Sequence, residues 1–212
     1  MSLIRDIRTD YTKGELSHDA MLDCPAEQLA LWIEDATMEG VSDPNAFCLS
    51  TLRDCGMPTG RIVLARGVDA SGIVFYTNKQ SSKGDEIEKS SKASATFFWR
   101  PMQRQARFSG VVKHLSDSDS DVYFASRPRA SQIGAWASDQ SSTLSSRKEL
   151  EEKYADFEVK FDGIKVPRPP HWGGYIIEIL DAEFWQGRAS RLHDRVRYDK
   201  VGSGWKKVLL QP

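Results

Sequence analysis

Nowhere in the 212 residues is there an apolar run approaching the ~18 residues that a membrane-spanning helix needs. The N-terminal stretch MSLIRDIRTDYTKGELSHD is broken by charge every few residues and offers no apolar leader core, so a cytoplasmic protein is expected. Net charge is missing as well. With 29 Lys and Arg against 30 Asp and Glu, no global field favours DNA or an anionic membrane surface. Cysteine is scarce: Cys24, Cys48 and Cys55 are odd in number and lack paired short spacings. That excludes a disulfide framework, a zinc ribbon and a CxxC redox motif, and predicts free thiols packed as small hydrophobes in a reducing compartment. No GxGxxG joins a strand to a helix, and Walker A, HExxH and GxSxG motifs are absent. Dinucleotide dehydrogenase, NTPase, zinc protease and serine hydrolase chemistry therefore lose their main support, and no metal site is expected.

What is present has the length of one domain. Residues 1–22 are polar and mixed in charge, which predicts an arm ordered by contact with something else; residues 23–212 form the domain proper. From Pro25, the run PAEQLALWIEDATMEG places Leu29, Trp32, Ile33 and Ala36 at helical spacing, with Gly40 after the end. Between Ala46 and Ser116 the chain turns to β-branched and aromatic runs: AFCLSTL, RIVLARGV, GIVFYTN, ASATFFW and QARFSGVVKHL. Turn clusters separate them, as in an antiparallel sheet or barrel. KGDEIEKSS interrupts as a short polar helix, and further helices are expected at about 117–125, 129–138 and 145–161, the last a solvated face with a Glu149–Lys153 pair. GGYIIEILDAEFWQG, RLHDRVRYDK and GWKKVLLQP return to strand. The fold class is mainly β with packed helices, strands from both ends of the chain closing one barrel.

Three clusters carry chemistry. In EFWQ followed by RLHDR, strand period would put Arg191, His193 and Arg195 on one face, with Leu192, Asp194 and Val196 on the other. Two guanidinium groups flanking an imidazole repel unless they meet water, an anion or an electron-rich ligand. The plainer reading is a solvated face with Asp194 as counterion. The run Arg127 to Trp136 sets arginines and Ser131 at a helix start, where free N–H groups and bidentate guanidinium geometry suit phosphate; capping or a carboxylate contact is the alternative. In RIVLAR, Arg61 and Arg66 have opposite strand parity, so they serve two neighbouring ligands or a bulge lies between them. Together with Tyr76, Thr77, Lys83 and the planar Trp185, these clusters suit a flavin mononucleotide beside a second phosphorylated aromatic ligand.

At this point the chain resembles the pyridoxamine 5'-phosphate oxidase family, from about Arg8 to Pro212. EFWQ and RLHDR resemble that family's signature, and DYTKG, RIVLAR, FYTN, QRQ, SRPRASQIGAWAS and QSS fall in the family's order. The resemblance implies a split β-barrel homodimer with FMN at the subunit interface, and oxidation of pyridoxamine or pyridoxine 5'-phosphate to pyridoxal 5'-phosphate with oxygen as acceptor. By matching motifs, Arg61, Ile62, Val63, Arg66, Tyr76, Thr77, Ser82, Lys83, Gln140 and Ser141 would bind FMN. Gln105, Trp185 and Arg195 would lie near its ring system. Arg66, Tyr123, Arg127 and Ser131 would hold the substrate phosphate, Arg191 and His193 would contact the pyridine part, and Arg8 and Tyr11 would close over the site. Two departures stand out: Arg66 where the family usually has Lys, and Ser82 where it often has Arg. A guanidinium stays charged, so Arg191 orients substrate, and imidazole makes His193 the acid–base candidate. Rival readings are another flavin enzyme on the same barrel, a non-catalytic carrier of flavin or pyridoxal phosphate, and nucleic-acid binding through Arg100, Arg104 and Arg107 with Phe97, Phe98 and Trp99. The neutral charge and the strand spacing of those aromatics speak against the last.

Overall fold

A computed structural model describes residues 10–212. Helix α1 (Pro25–Met38) starts with Pro at its first position, where a missing N–H costs nothing, and buries Leu29, Trp32 and Ala36 against the sheet. Strands β1 (Ala46–Leu52), β2 (Pro58–Leu64), β3 (Gly67–Asp69) and β4 (Gly72–Asn78) follow. Helix α2 (Ser82–Ser90) is capped by the Ser81 hydroxyl, which accepts from Gly84 N. Next come β5 (Lys92–Trp99), β6 (Arg104–His114), α3 (Asp117–Ser126), α4 (Arg129–Ala137), α5 (Arg147–Lys160), β7 (Trp172–Gln186), β8 (Asp194–Val201) and β9 (Gly204–Leu209). The expected helices stand within two residues of their predicted ends.

All strands join one antiparallel sheet in the order β2-β1-β5-β6-β7-β4-β3, with β8 on β7 and β9 on β8. The first and last strands of that order, β2 and β3, are separated by only Ala65 and Arg66. Ala65 N donates to Asn45 O beside β1, and Arg66 N donates to Val74 O on β4. The sheet therefore curls until its two ends meet, and inward-facing aromatics fill it: Phe47, Phe75, Phe97, Phe108, Tyr175 and Phe184 are all buried. Phe47 stacks on Phe97 at 5.0 Å, and Phe184 meets Trp32 of α1 edge-on at 4.9 Å, an arrangement that ring quadrupoles favour. A smaller core of Phe124, Ile133, Phe161, Val166 and Trp172 lies beneath α3–α5. Helix α5 has no fully buried residue, as its charge run predicts, and packs on this core through half-buried Tyr154 and Phe157.

Strand β7 is the longest, and its inward face changes parity. Tyr175, Ile177 and Ile179 point into the core, then Ala182, Phe184 and Gln186 do. The register explains this: Ile179 opposes Gly110 and Asp181 opposes Ser109, leaving Leu180 as the extra residue of a β-bulge. Beyond the bulge, Glu183 and Trp185 stand on the outer face, where period two continued from Tyr175 would have put them inside.

The RLHDR segment departs from the strand expected for it. Ala189–Arg191 form a 3-10 turn, Ser190 and Arg191 have φ of 57° and 62°, and the strand begins only at Asp194. Alternation thus does not align Arg191, His193 and Arg195. The cysteines are free, but Cys55 is exposed in the β1–β2 turn and so is not a buried small hydrophobe. Of the aromatics expected in the core, Phe97 and Trp99 are buried while Phe98 faces out. No helix among the described residues is long and apolar enough to cross a membrane.

Candidate active site

The RIVLA strand, the end of β4, the start of α2 and the α3–α4 corner enclose a cavity of 610 Å³. Arg61, Ile62, Val63, Arg66, Tyr76, Thr77, Lys83, Tyr123, Arg127, Ser131 and Gln140 all line it, as do Trp172, Asn78 and Ser138. Four of these side chains are cationic and none is a carboxylate. Strand β2 ends at Leu64, so Arg61 and Arg66 reach the same cavity because the chain leaves the strand between them; no bulge is needed.

The cations are held from behind. Lys83 is buried, and its Nζ donates to Thr77 Oγ1, Ser81 Oγ and Gln140 Oε1, each at 3.1 Å. Burial, then the neighbouring Arg61 charge, pulls its pKa below the ordinary lysine value, an opposition that a bound anion would relieve. Arg127, at the end of α3, lies over the Trp172 ring at 4.7 Å in a cation–π contact. Among the described residues its buried Nη1 has no hydrogen-bond partner, as expected where a ligand supplies the acceptor. Ser131 sits in the first turn of α4, whose N-cap Pro128 offers no capping side chain. Arg129 instead serves the fold: its Nη1 donates to Ile164 O at 2.9 Å.

A second cluster stands on the outer face of β6, β7 and β8. Register brings Gln105, Trp185 and Arg195 into one cross-strand row and Arg107, Glu183 and Arg197 into the next. Glu183 is buried at the centre and accepts from Arg195 Nε at 2.9 Å, Arg195 Nη2 at 3.0 Å and the Arg107 guanidinium. Burial opposes its charge, but the hydrogen bonds from Arg195 and Arg107 prevail and hold its pKa below the usual carboxylate range. The counterion of Arg195 is thus Glu183, which the sequence reading missed. Asp194 accepts from Arg188 Nη1 at 3.2 Å and from Leu16 N at 3.0 Å.

His193 packs on Trp185 at 4.7 Å between centroids, and Tyr11 meets both rings edge-on at 5.6 Å. His193 Nδ1 accepts from Arg188 N at 3.1 Å, which leaves Nε2 as the N–H of the neutral ring. Tyr11 is stapled in place because Gln103 Oε1 accepts from Thr12 N and Lys13 N, at 2.8 and 3.0 Å. Gly187 lies directly under the Tyr11 ring, where a Cβ would stand 2.7 Å from Cγ. Arg191 is exposed on the adjoining turn.

The predicted residues therefore fall into two groups. Trp172 and Gly173, the latter paired with Thr77, mark the cavity end of β7, while Trp185 lies twelve residues further along, about 40 Å of extended strand. Gln105, Trp185, Arg191, His193, Arg195 and Tyr11 do not line the cavity. Neither do Ser82, which faces an adjoining groove with Arg53 and Glu86, and Ser141, which has φ of 73° beside Gln140. Arg8 lies outside the described residues.

Comparison with known proteins places this geometry. Residues 33–161 match the family model described as pyridoxamine 5'-phosphate oxidase, and residues 172–212 match the pyridoxine 5'-phosphate oxidase C-terminal dimerisation region. The chain is 46% identical over 206 residues to the pyridoxine/pyridoxamine 5'-phosphate oxidase of Rubrobacter xylanophilus, covering 97% of this chain and 95% of that one. PhzG from Burkholderia lata 383, solved in complex with tetrahydrophenazine-1-carboxylic acid, superposes with a TM-score of 0.88 at 30% identity, covering 95% of this chain and all of that one. A pyridoxamine 5'-phosphate oxidase-related, FMN-binding protein of Nostoc punctiforme shares the fold at 15% identity, with a TM-score of 0.72 over 91% of this chain and 100% of that one.

Proposed function

The chain belongs to the pyridoxamine 5'-phosphate oxidase family, and from that membership we propose that it oxidises pyridoxamine 5'-phosphate and pyridoxine 5'-phosphate to pyridoxal 5'-phosphate, using FMN and oxygen and acting in the cytoplasm. The observation that carries this reading is the cavity that the described residues line with four cations and no carboxylate, and in which they offer Arg127 Nη1 no acceptor. Such a donor set fits two phosphate esters and is costly to maintain without them.

The dimerisation region supports a homodimer. In this reading the cavity of one protomer meets the Trp185–His193 face of its partner, since one protomer sets the two groups at opposite ends of β7. Arg61, Thr77, Lys83 and Gln140 hold the flavin phosphate, with Ile62 and Val63 along the cofactor. Arg66, Tyr123, Arg127 and Ser131 hold the substrate phosphate. Gln105, Trp185 and Arg195 border the flavin ring system. When bound, FMN supplies the hydride acceptor and returns the electrons to oxygen as hydrogen peroxide. Arg191 fixes the pyridine part of the substrate by charge, and His193 presents its Nε2–H to it as a hydrogen-bond donor, acting in proton exchange only when Nδ1 releases Arg188 N. Tyr11 covers the face and excludes water. The amine substrate yields aldehyde and ammonia with uptake of one water, and the alcohol yields aldehyde directly.

Purified protein should be yellow and should form peroxide and pyridoxal 5'-phosphate in air on adding pyridoxamine 5'-phosphate. Yellow protein inert toward both phosphate substrates would reject the reaction and leave a different flavin enzyme. Colourless protein that cannot be loaded with FMN would reject the cofactor too.

A further inference from the structure

Glu86 stands directly behind the cavity and takes no part in the roles assigned so far. It is buried on α2, one turn beyond Lys83 and on the same side of the helix. Its Oε2 accepts from Thr59 Oγ1 at 2.8 Å, from Arg61 Nη2 at 3.0 Å and from the Thr51 hydroxyl. Arg61 is gripped by the same group: Nη2 also donates to Thr59 Oγ1 at 2.8 Å, while Nη1 reaches the Thr51 hydroxyl and Leu49 O. Arg53 adds a looser contact, with Nε 4.0 Å from Oε1 and a largely exposed side chain, and Lys83 lies one turn away on the same helix. One carboxylate thus ties α2 to β1 and β2 and fixes the guanidinium that lines the cavity, without lining the cavity itself.

We propose that Glu86 is a positioning residue for the flavin phosphate, acting through Arg61; this rests on the cofactor reading above. Two physical effects of removing its charge have opposite signs. By Coulomb's law alone, deleting an anion beside Arg61 and Lys83 makes the site more attractive to phosphate. Loss of the clamp frees the Arg61 fork and leaves it repelled by Lys83, which weakens binding because a bidentate partner must be held in geometry beforehand. The geometry assigns the larger part to the clamp. Burial works against the charged form of Glu86, yet the hydrogen bonds from Thr51, Thr59 and Arg61 hold its pKa below the ordinary value, so the clamp is ionised at neutral pH.

The test is fluorescence titration of the full-length chain, stripped of flavin, with FMN and with riboflavin, which lacks the phosphate. Glu86→Gln should raise the FMN Kd by about tenfold and move riboflavin by less than about twofold. In an Arg61→Ala background the same change should no longer weaken FMN, because the clamp's route to the ligand has gone and only the Coulomb effect is left. Thr59→Val, which keeps the charge and removes one hydroxyl of the clamp, should weaken FMN in the same direction by about two- to threefold, and serves if Glu86→Gln does not fold. An FMN Kd unchanged or lowered in Glu86→Gln, or unchanged in Thr59→Val, overturns the inference while leaving the cofactor reading intact. Wild-type chain that binds no FMN overturns both.

Discussion

The cavity and the Trp185–His193 face are built by opposite means. Regular elements make the cavity: three strand ends and three helix termini converge, and Lys83, Thr77 and Gln140 are locked by mutual hydrogen bonds. Its charges are of one sign; Lys83 is buried, Arg61 and Arg127 are half-buried, and Arg66 is exposed at the rim. The outer face rests on a firm floor, the Glu183 row, but its upper parts come from an arm residue, Tyr11, and a turn in which Ser190 and Arg191 both take left-handed conformations. Rigid sites suit a fixed anion, whereas loop-borne groups can open for substrate and close behind it. The division of labour suggests that affinity is set at one end of β7 and turnover at the other.

The sharpest break of this comparison is to disable each side separately. Lys83→Ala should lose visible flavin absorbance on gel filtration. Arg191→Ala should keep its flavin yet fall by about a hundredfold or more in peroxide formation. Mixing the two variants under conditions that exchange subunits should restore roughly a quarter of wild-type activity, because half of random dimers carry one intact site out of two. No recovery on mixing, with exchange verified, would show that the groups do not meet across protomers.

Next in size is a change in the barrel core at the Trp185 end of β7. Phe184→Ala removes a fully buried ring that packs on Trp32, Phe108 and Tyr198, and should cost about 3–5 kcal/mol in urea unfolding. A loss below about 1 kcal/mol would mean that the barrel end collapses to fill the space.

Acid should separate the regions more gently. Glu183 carries a pKa below its ordinary 4.5 because hydrogen bonds from Arg195 and Arg107 outweigh burial. Its ionised form therefore adds stability that is fully present above 4.5 and is lost as pH falls through the folded value. Thermal unfolding from neutrality down to about pH 3 should show a decline that is shallower in Glu183→Gln, with the wild type and variant converging at the acid end. Smallest is Gly187→Ala, whose methyl displaces the Tyr11 ring: substrate KM should rise roughly fivefold with flavin affinity unchanged.

Much of this was legible in the residues. Strand runs such as AFCLSTL and GIVFYTN matched β1 and β4 end to end, since β-branched and aromatic residues bounded by turn clusters leave little choice of boundary. Of the residues that the resemblance assigned to cofactor and substrate phosphates, all but Ser82 and Ser141 line one cavity; their roles there are part of the proposal. Strand alternation failed at RLHDR, where two left-handed residues break the period and no glycine announces them. The carboxylates Glu86 and Glu183 escaped for another reason. Each looks like an ordinary charge in a polar helix or strand, and only register reveals that several donors converge on it.

The extra residue at Leu180 has a consequence for how this chain can change over time. Trp172 and Trp185 both face outward from β7, although one number is even and the other odd; the bulge supplies the half-step that makes this possible. Loops at either end of the strand can lengthen or shorten freely, but a single deletion inside it would invert one end relative to the other, turning Glu183 and Trp185 into the barrel and Phe184 out of it. The strand behaves as a reading frame written in side-chain direction, in which compensated pairs of insertions and deletions are tolerated and odd ones are not.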